Sequence, residues 1–103
     1  MTQAEKLQML ETMSGETDAL TLSTYLGAAG EIVKRKAFPY GDGTEDVPAK
    51  YHAVQVEIAA YKLKRRGAEG QIQHTEGSLT WIFEDGDVPP TILRRIVPKA
   101  VVP

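Results

Sequence analysis

The sequence predicts a mainly α-helical fold, a small bundle of about four helices with a β-hairpin-like extended arm between the third and fourth helices. Three observations predict it. Apolar residues recur at helical spacing through most of the chain. Each recurrence is bounded by capping residues, glycine or proline. One stretch, residues 68–86, breaks that period and alternates polar with apolar residues before an aromatic run. At 103 residues the chain has room for one modest core and reads as a single domain over residues 1–103.

The first helix opens on Thr2 followed by Glu5, a capping-box pattern in which each side chain satisfies a free amide near the helix start. Ala4, Leu7, Leu10 and Met13 follow at helical spacing, and Ser14-Gly15 stops the helix. Thr17 is the expected cap of the second helix, with Glu16 and Asp18 near the positive end of its dipole. Leu22, Tyr25, Leu26, Ala29, Ile32 and Val33 form its apolar stripe. Lys34, Arg35 and Lys36 fall in the last turns, where cations suit the negative end, and Phe38-Pro39 ends it.

The stretch YGDGTEDVP is a glycine-rich acidic loop. A third helix is expected from about Pro48 to Arg66, with Pro48 as an early residue. At about 100° per residue, Tyr51, Val54, Ile58 and Tyr61 make one apolar face and Val56, Ala59, Ala60 and Leu63 a second. A helix apolar on two sides is sandwiched between neighbours, which puts this one at the centre of the bundle. Gly67 is the expected left-handed stop. In the arm, Ile72 and His74 alternate with Gln71 and Gln73, and LTWIF follows a plausible turn at residues 75–78. Asp87 is the expected cap of a last short helix with Pro89 and Pro90 in early positions. Ile92, Leu93, Ile96 and Val97 are its buried side, and the tail PKAVVP reads as extended, completing a C-terminal unit over residues 88–103.

Composition narrows the function. Hydrophobic residues at 42% and charged residues at 25% are ordinary for a globular domain. A net charge of −2 argues against a dedicated nucleic-acid binder, though not against a local basic patch. Cysteine is absent, which removes disulfides, thiolate metal sites and cysteine nucleophiles together. The opening MTQAEKLQML has no basic segment followed by an apolar stretch, so no secretory signal is expected. No apolar run approaches the ~20 residues a membrane span requires.

A search for chemistry turns up little. His52 and His74 sit in different elements with no serine, cysteine or carboxylate at triad or metal-ligand spacing, and read as partly exposed helix and arm residues. Asp42, Glu45 and Asp46, and then Glu84, Asp85 and Asp87, are acidic clusters without the calcium-loop pattern; loop carboxylates and helix caps explain them. The glycines are not followed by the lysine of a phosphate-binding loop. No catalytic, cofactor-binding or metal-binding residue is expected, and the chain reads as a non-enzyme.

Two features point to assembly instead. The basic runs KRK at 34–36 and KLKRR at 62–66 read first as dipole partners on a solvated face. A sharper reading sets Arg65 and Arg66 against carboxylates of a neighbouring copy, with Glu69, Glu76 and Glu84 as natural partners. In the arm, Trp81 and Phe83 share one strand face while Ile82 points the other way, so both faces are apolar. One bundle surface covers only one of them. Burial between molecules is therefore expected ahead of folding back onto the chain's own core.

Taken in order, the helix ending AAYKLKRRGAEG, the segment HTEGSLTWIFE and the closing VPPTILRRIVP resemble the head–tail connector family of long-tailed bacteriophages and prophages, also called neck adaptor or head-completion proteins. The resemblance covers nearly the whole chain and is most specific over residues 61–84. It implies a non-enzymatic helical protein that forms a homo-oligomeric ring of about a dozen copies on the portal vertex. The ring extends the DNA channel and offers a docking surface to the tail side. Carried onto this chain, it implies that Arg65, Arg66, Gly67, Glu69 and Gly70 shape the exit of the central helix toward the neighbour. Ile72, His74, Glu76, Trp81 and Phe83 lie on the arm at the subunit interface. Ile92, Arg94, Arg95, Ile96, Val97, Lys99 and Val101 are implied portal contacts. The implied partners are further copies of the chain, the portal protein and a tail-side neck or stopper protein. DNA passes without specific binding, no membrane and no cofactor is involved, and the protein is made in the host cytoplasm and resides in the virion neck. Two other readings of the same residues are a small helical DNA-binding regulator using the KRK and KRR patches, and a generic helical adaptor such as a toxin–antitoxin component.

Overall fold

A computed structural model of the chain describes residues 1–39, 41, 46–68, 84, 86 and 88–97, with backbone only for 66–68. Among them are four α-helices, α1 (Gln3–Ser14), α2 (Ala19–Ala37), α3 (His52–Ala68) and the short α4 (Pro90–Leu93), plus a 3₁₀ turn at Ala49–Tyr51. No described residue is in a strand. The hairpin-like arm expected over residues 68–86 falls mostly outside the described residues, and Ala68 itself belongs to α3.

The capping box forms as expected. The Thr2 amide donates to Glu5 Oε1 at 2.7 Å and the Glu5 amide to Thr2 Oγ1 at 3.1 Å. Gly15 then ends α1 at φ 78°, a left-handed conformation that costs glycine no Cβ clash, and its amide reaches the Glu11 carbonyl. The expected apolar stripe of α1 is only partly right. Leu10 is buried and Leu7 half-buried, but Ala4 and Met13 are exposed. The buried line is turned toward Lys6, which is drawn inward by a polar partner on α3.

The cap of α2 is Asp18, not Thr17. Its carboxylate accepts both the Thr21 amide at 2.9 Å and the Thr21 hydroxyl at 2.6 Å, and a charged acceptor at the positive end of the dipole is favoured over a neutral hydroxyl. The predicted stripe of α2 is buried throughout, and the helix ends at Phe38 with its basic last turn.

α3 departs from expectation at both ends. Pro48 precedes a 3₁₀ turn, so the α-helix starts only at His52. At the other end it runs through Gly67 to Ala68, so Gly67 is a helical residue rather than a left-handed stop. Its two apolar faces are buried except for Tyr61, which is half-buried. α3 packs against α1, α2, the 3₁₀ turn and α4, while α1 and α2 also touch, so α3 is the centre of the bundle.

Two polar side chains lie inside α3's buried arc. Gln55 and Lys62 are seven residues apart, and at about 100° per residue both fall between the two apolar faces. Gln55, 4% exposed, accepts from Lys6 Nζ of α1 at 3.0 Å and donates through Nε2 to the Leu26 carbonyl of α2 at 2.9 Å. One amide thus ties three helices. α2 comes close enough only because residue 30 is glycine: a Cβ there would stand 2.9 Å from Gln55 Nε2.

α4 also differs in detail. Its N-cap position is Pro89, with no side-chain cap hydrogen bond, and Asp87, the expected cap, lies outside the described residues. Pro90 at the first position has no amide to satisfy, which leaves less for a cap to do. Ile96 and the unanticipated Val88 join the core, and Ile92 and Leu93 pack against it half-buried. Val97, expected to be buried, is 67% exposed because the helix ends at Leu93 and the helical period does not reach it.

Two outcomes follow for stability. Gly27 has nothing within 4 Å of an added Cβ, so Gly27→Ala should stabilise by ~0.5–1 kcal/mol through helix propensity. Gly30→Ala should instead destabilise by ~1–3 kcal/mol, because overpacking at the Gln55 amide outweighs the same propensity gain. Urea denaturation of the two variants checks the opposite signs. The Glu5 carboxyl is held below its ordinary 4.5, first by the Thr2 backbone amide and then by the Thr2 side chain. The box therefore stabilises α1 fully above the ordinary value and is lost as pH falls through the lowered one. In NMR titrations, Thr2→Ala should move the Glu5 midpoint upward.

Candidate functional site

The elements that could present a functional surface are the far end of α3 and the segment that returns to it. Along α3 and the 3₁₀ turn before it, three side chains hold that returning segment. Lys62, 2% exposed, donates to the Glu84 carbonyl at 2.5 Å. Arg95 Nη2 meets Glu57 Oε1 at 2.6 Å. The Tyr51 hydroxyl accepts the Val97 amide at 2.9 Å and donates to the Val97 carbonyl at 3.3 Å.

These contacts differ in weight. The Arg95–Glu57 pair is partly exposed, so it contributes ~0–1 kcal/mol at most. The Lys62 contact is part-buried and charge-assisted, and a hydrogen bond from a charged donor is worth ~1.5–3 kcal/mol. Lys62 therefore fixes where the chain re-enters the bundle. Residues 69–83 leave from the end of α3, and Glu84 is bound again at Lys62 of the same helix. About 9 Å of helix axis separates Lys62 from Ala68, so both flanks of that stretch stand at one end of α3.

The sequence-predicted interface residues can be placed only in part. Arg65 is exposed on the last turns of α3, while Arg66 and Gly67 are described as helix backbone. Glu69, Gly70, Ile72, His74, Glu76, Trp81 and Phe83 lie outside the described residues. Among the expected portal contacts, Arg94 and Val97 are exposed and Arg95 is engaged by Glu57. Ile92 is half-buried and Ile96 is 4% exposed within its own chain, while Lys99 and Val101 are outside the described residues.

Sequence reasoning overlooked Lys6, Gln55, Lys62 and the Tyr51 hydroxyl. Lys62 was absorbed into a basic run and read as solvated. The signal was available: a polar residue flanked on both sides by buried faces of one helix is itself buried. Of the histidines, His52 is half-buried with Nε2 3.2 Å from the Val47 carbonyl. Among the described residues no group of His, Cys, Asp or Glu is placed to hold a metal ion. No described helix is long and apolar enough to cross a membrane.

The described residues together define a small helical bundle built around a central helix, α3, that holds a returning segment. A family model described as phage gp6-like head-tail connector protein matches residues 11–97. The chain belongs to this family of bacteriophage head–tail connectors, with a structural role in the virion. No curated protein and no solved structure matches it.

Tyr51→Phe should remove the partner of the Val97 amide and destabilise the fold by ~1 kcal/mol. Hydrogen exchange should quicken first at Val97 and Ile96, with the α1–α2 contact little changed. Uniform quickening across all helices would show that the clasp is not local.

Proposed function

We propose that the chain is the subunit of a homo-oligomeric ring on the portal vertex, where it extends the DNA channel and provides the surface on which the tail side docks. Family membership over residues 11–97 carries this reading. The anchoring of both flanks of residues 69–83 at one end of α3 supports it, because a stretch held at its base is suited to reach a neighbour at low ordering cost. In such a ring each copy uses two different patches head to tail, and a portal beneath it fixes the rotation that closes it.

The interface in this reading is the end of α3 with the arm: Arg65, Arg66, Gly67, Glu69 and Gly70, then Ile72, His74, Glu76, Trp81 and Phe83. The portal side is the α4 region and tail, through Arg94, Val97, Lys99 and Val101. Ile92, Arg95 and Ile96 contribute by shaping that segment, since they face or bind the chain's own core. The ring takes about a dozen copies. Its partners are the portal protein below and a neck or stopper protein above. DNA passes without sequence-specific contact.

Sedimentation and electron microscopy of the purified chain, alone and with portal rings, test the proposal. Concentration-dependent assembly is expected, weakened by Trp81→Ala and abolished by deletion of residues 71–84. A chain that stays monomeric even with portal present overturns it. A gel-shift assay at physiological salt should show little retention of duplex DNA; tight, salt-sensitive retention would point to a DNA-binding regulator instead.

A further inference from the structure

A groove of about 310 Å³ runs between α1 and the start of α2, with no described residue of α3 among its walls. Ala4, Leu7, Ala19 and Leu22 give it an apolar lining, and Glu11 and Thr17 are among its polar walls. On the same two helix ends Met13 and Leu20 are exposed, Leu20 by 75%. Negative charge gathers there too. Glu11 lies in the last turn of α1, where the dipole is already negative, and that turn holds no basic residue. Its carboxylate has no partner among the described residues. The positive end of α2 close by is already answered by the Asp18 carboxylate. A cation brought from outside would therefore complement both the Glu11 carboxylate and the end of α1.

The last turns of α3 carry the opposite pattern. Tyr61, Lys64 and Arg65 share one helix face by their spacing of three and four. Lys64 and Arg65 are exposed and Tyr61 is half-buried. Lys64 has no partner among the described residues, and Glu57, one turn before Tyr61, is taken by Arg95. The two patches are level. α1 and α3 run in the same direction, since Met1 meets His52 and Lys6 meets Gln55. Counted from that second contact, Glu11 is ~8 Å further along α1 and Tyr61 ~9 Å further along α3.

We infer that the groove between α1 and α2 receives the Tyr61–Lys64–Arg65 face of a neighbouring copy, with the Tyr61 ring on the apolar lining and Lys64 over Glu11. The inference rests on the ring reading above and supplies the second patch of its head-to-tail contact. An apolar groove with an unpaired carboxylate and an aromatic flanked by cations match in both charge and character. Tyr and Arg are also the residue types that most often anchor such contacts. Copies related by a rotation alone touch at equal heights along its axis. Two level patches on different faces meet that condition when the bundle stands along the axis.

The test exchanges the two charges and follows self-association by sedimentation, alone and with portal rings. Glu11→Lys and Lys64→Glu, both at exposed positions, should each weaken assembly ~10-fold or more, and combining them should restore most of it. Ala19→Trp, also at an exposed position, should fill the groove and weaken assembly at least as much. Thermal denaturation checks that each variant is folded. Should Ala19→Trp fail to fold, the exchanged charges decide alone. Single charge variants that assemble at wild-type strength, or a doubly exchanged chain no better than either one, overturn the contact while leaving the ring intact. A wild-type chain that never assembles overturns the ring itself, and the occupant of the groove with it.

Discussion

The fold depends on how α3 settles its two interior polar side chains. A helix covered on both apolar faces has no wet sector near its centre line, so Gln55 and Lys62 must find partners inside the protein. Gln55 finds them on α1 and α2 at once. Each of those hydrogen bonds is individually modest, but leaving one of the buried groups unmade costs more than making it gains. The apolar stripes, being non-directional, do not by themselves demand one exact hydrogen-bonding level of α1 and α2 against α3. The amide of Gln55 does, since only one level of each helix brings Lys6 Nζ and the Leu26 carbonyl within reach. Hydrophobic burial holds the bundle together, and this one side chain sets its register.

Lys62 performs the matching task two turns further along. Where Gln55 registers the helices that precede α3, Lys62 registers the chain that follows it. The Tyr51 hydroxyl closes the far end of that segment on Val97. α3 is thus a spine whose one side is fixed to the N-terminal hairpin and whose length is spanned by the C-terminal segment. The two sides of the bundle are therefore held by different side chains of one helix and its preceding turn.

Much of the helical framework was legible in the sequence because it rests on local rules. The Thr2–Glu5 box, the Gly15 stop, the stripe of α2 and the two-faced α3 each follow from spacing and end chemistry. The misreadings came where two local solutions compete. Thr17 and Asp18 are adjacent possible caps, and the carboxylate wins because it takes both groups of Thr21. Gly67 looked like a stop, yet glycine only permits the left-handed turn and does not impose it. Val97 was read with a helical period in a segment that holds only one turn of helix. The site was harder to read than the fold. Lys6 and Lys62 look like ordinary surface lysines in one dimension, and only the tertiary arrangement of α3 with its neighbours takes them out of water. Most of the expected interface residues fall on parts of the arm and tail that lie outside the described residues, so their roles rest on proposal and not on geometry.

The grip on both flanks of residues 69–83 has a mechanical meaning. A pull on that stretch is delivered to Ala68 and, through Glu84, to Lys62, two points on a single rod about 9 Å apart. Both points belong to α3, so a load applied there enters the bundle through its central helix and is shared with α1 and α2, which pack on it. The same helix that centres the hydrophobic core is therefore also the route by which anything acting on residues 69–83 reaches the rest of the fold.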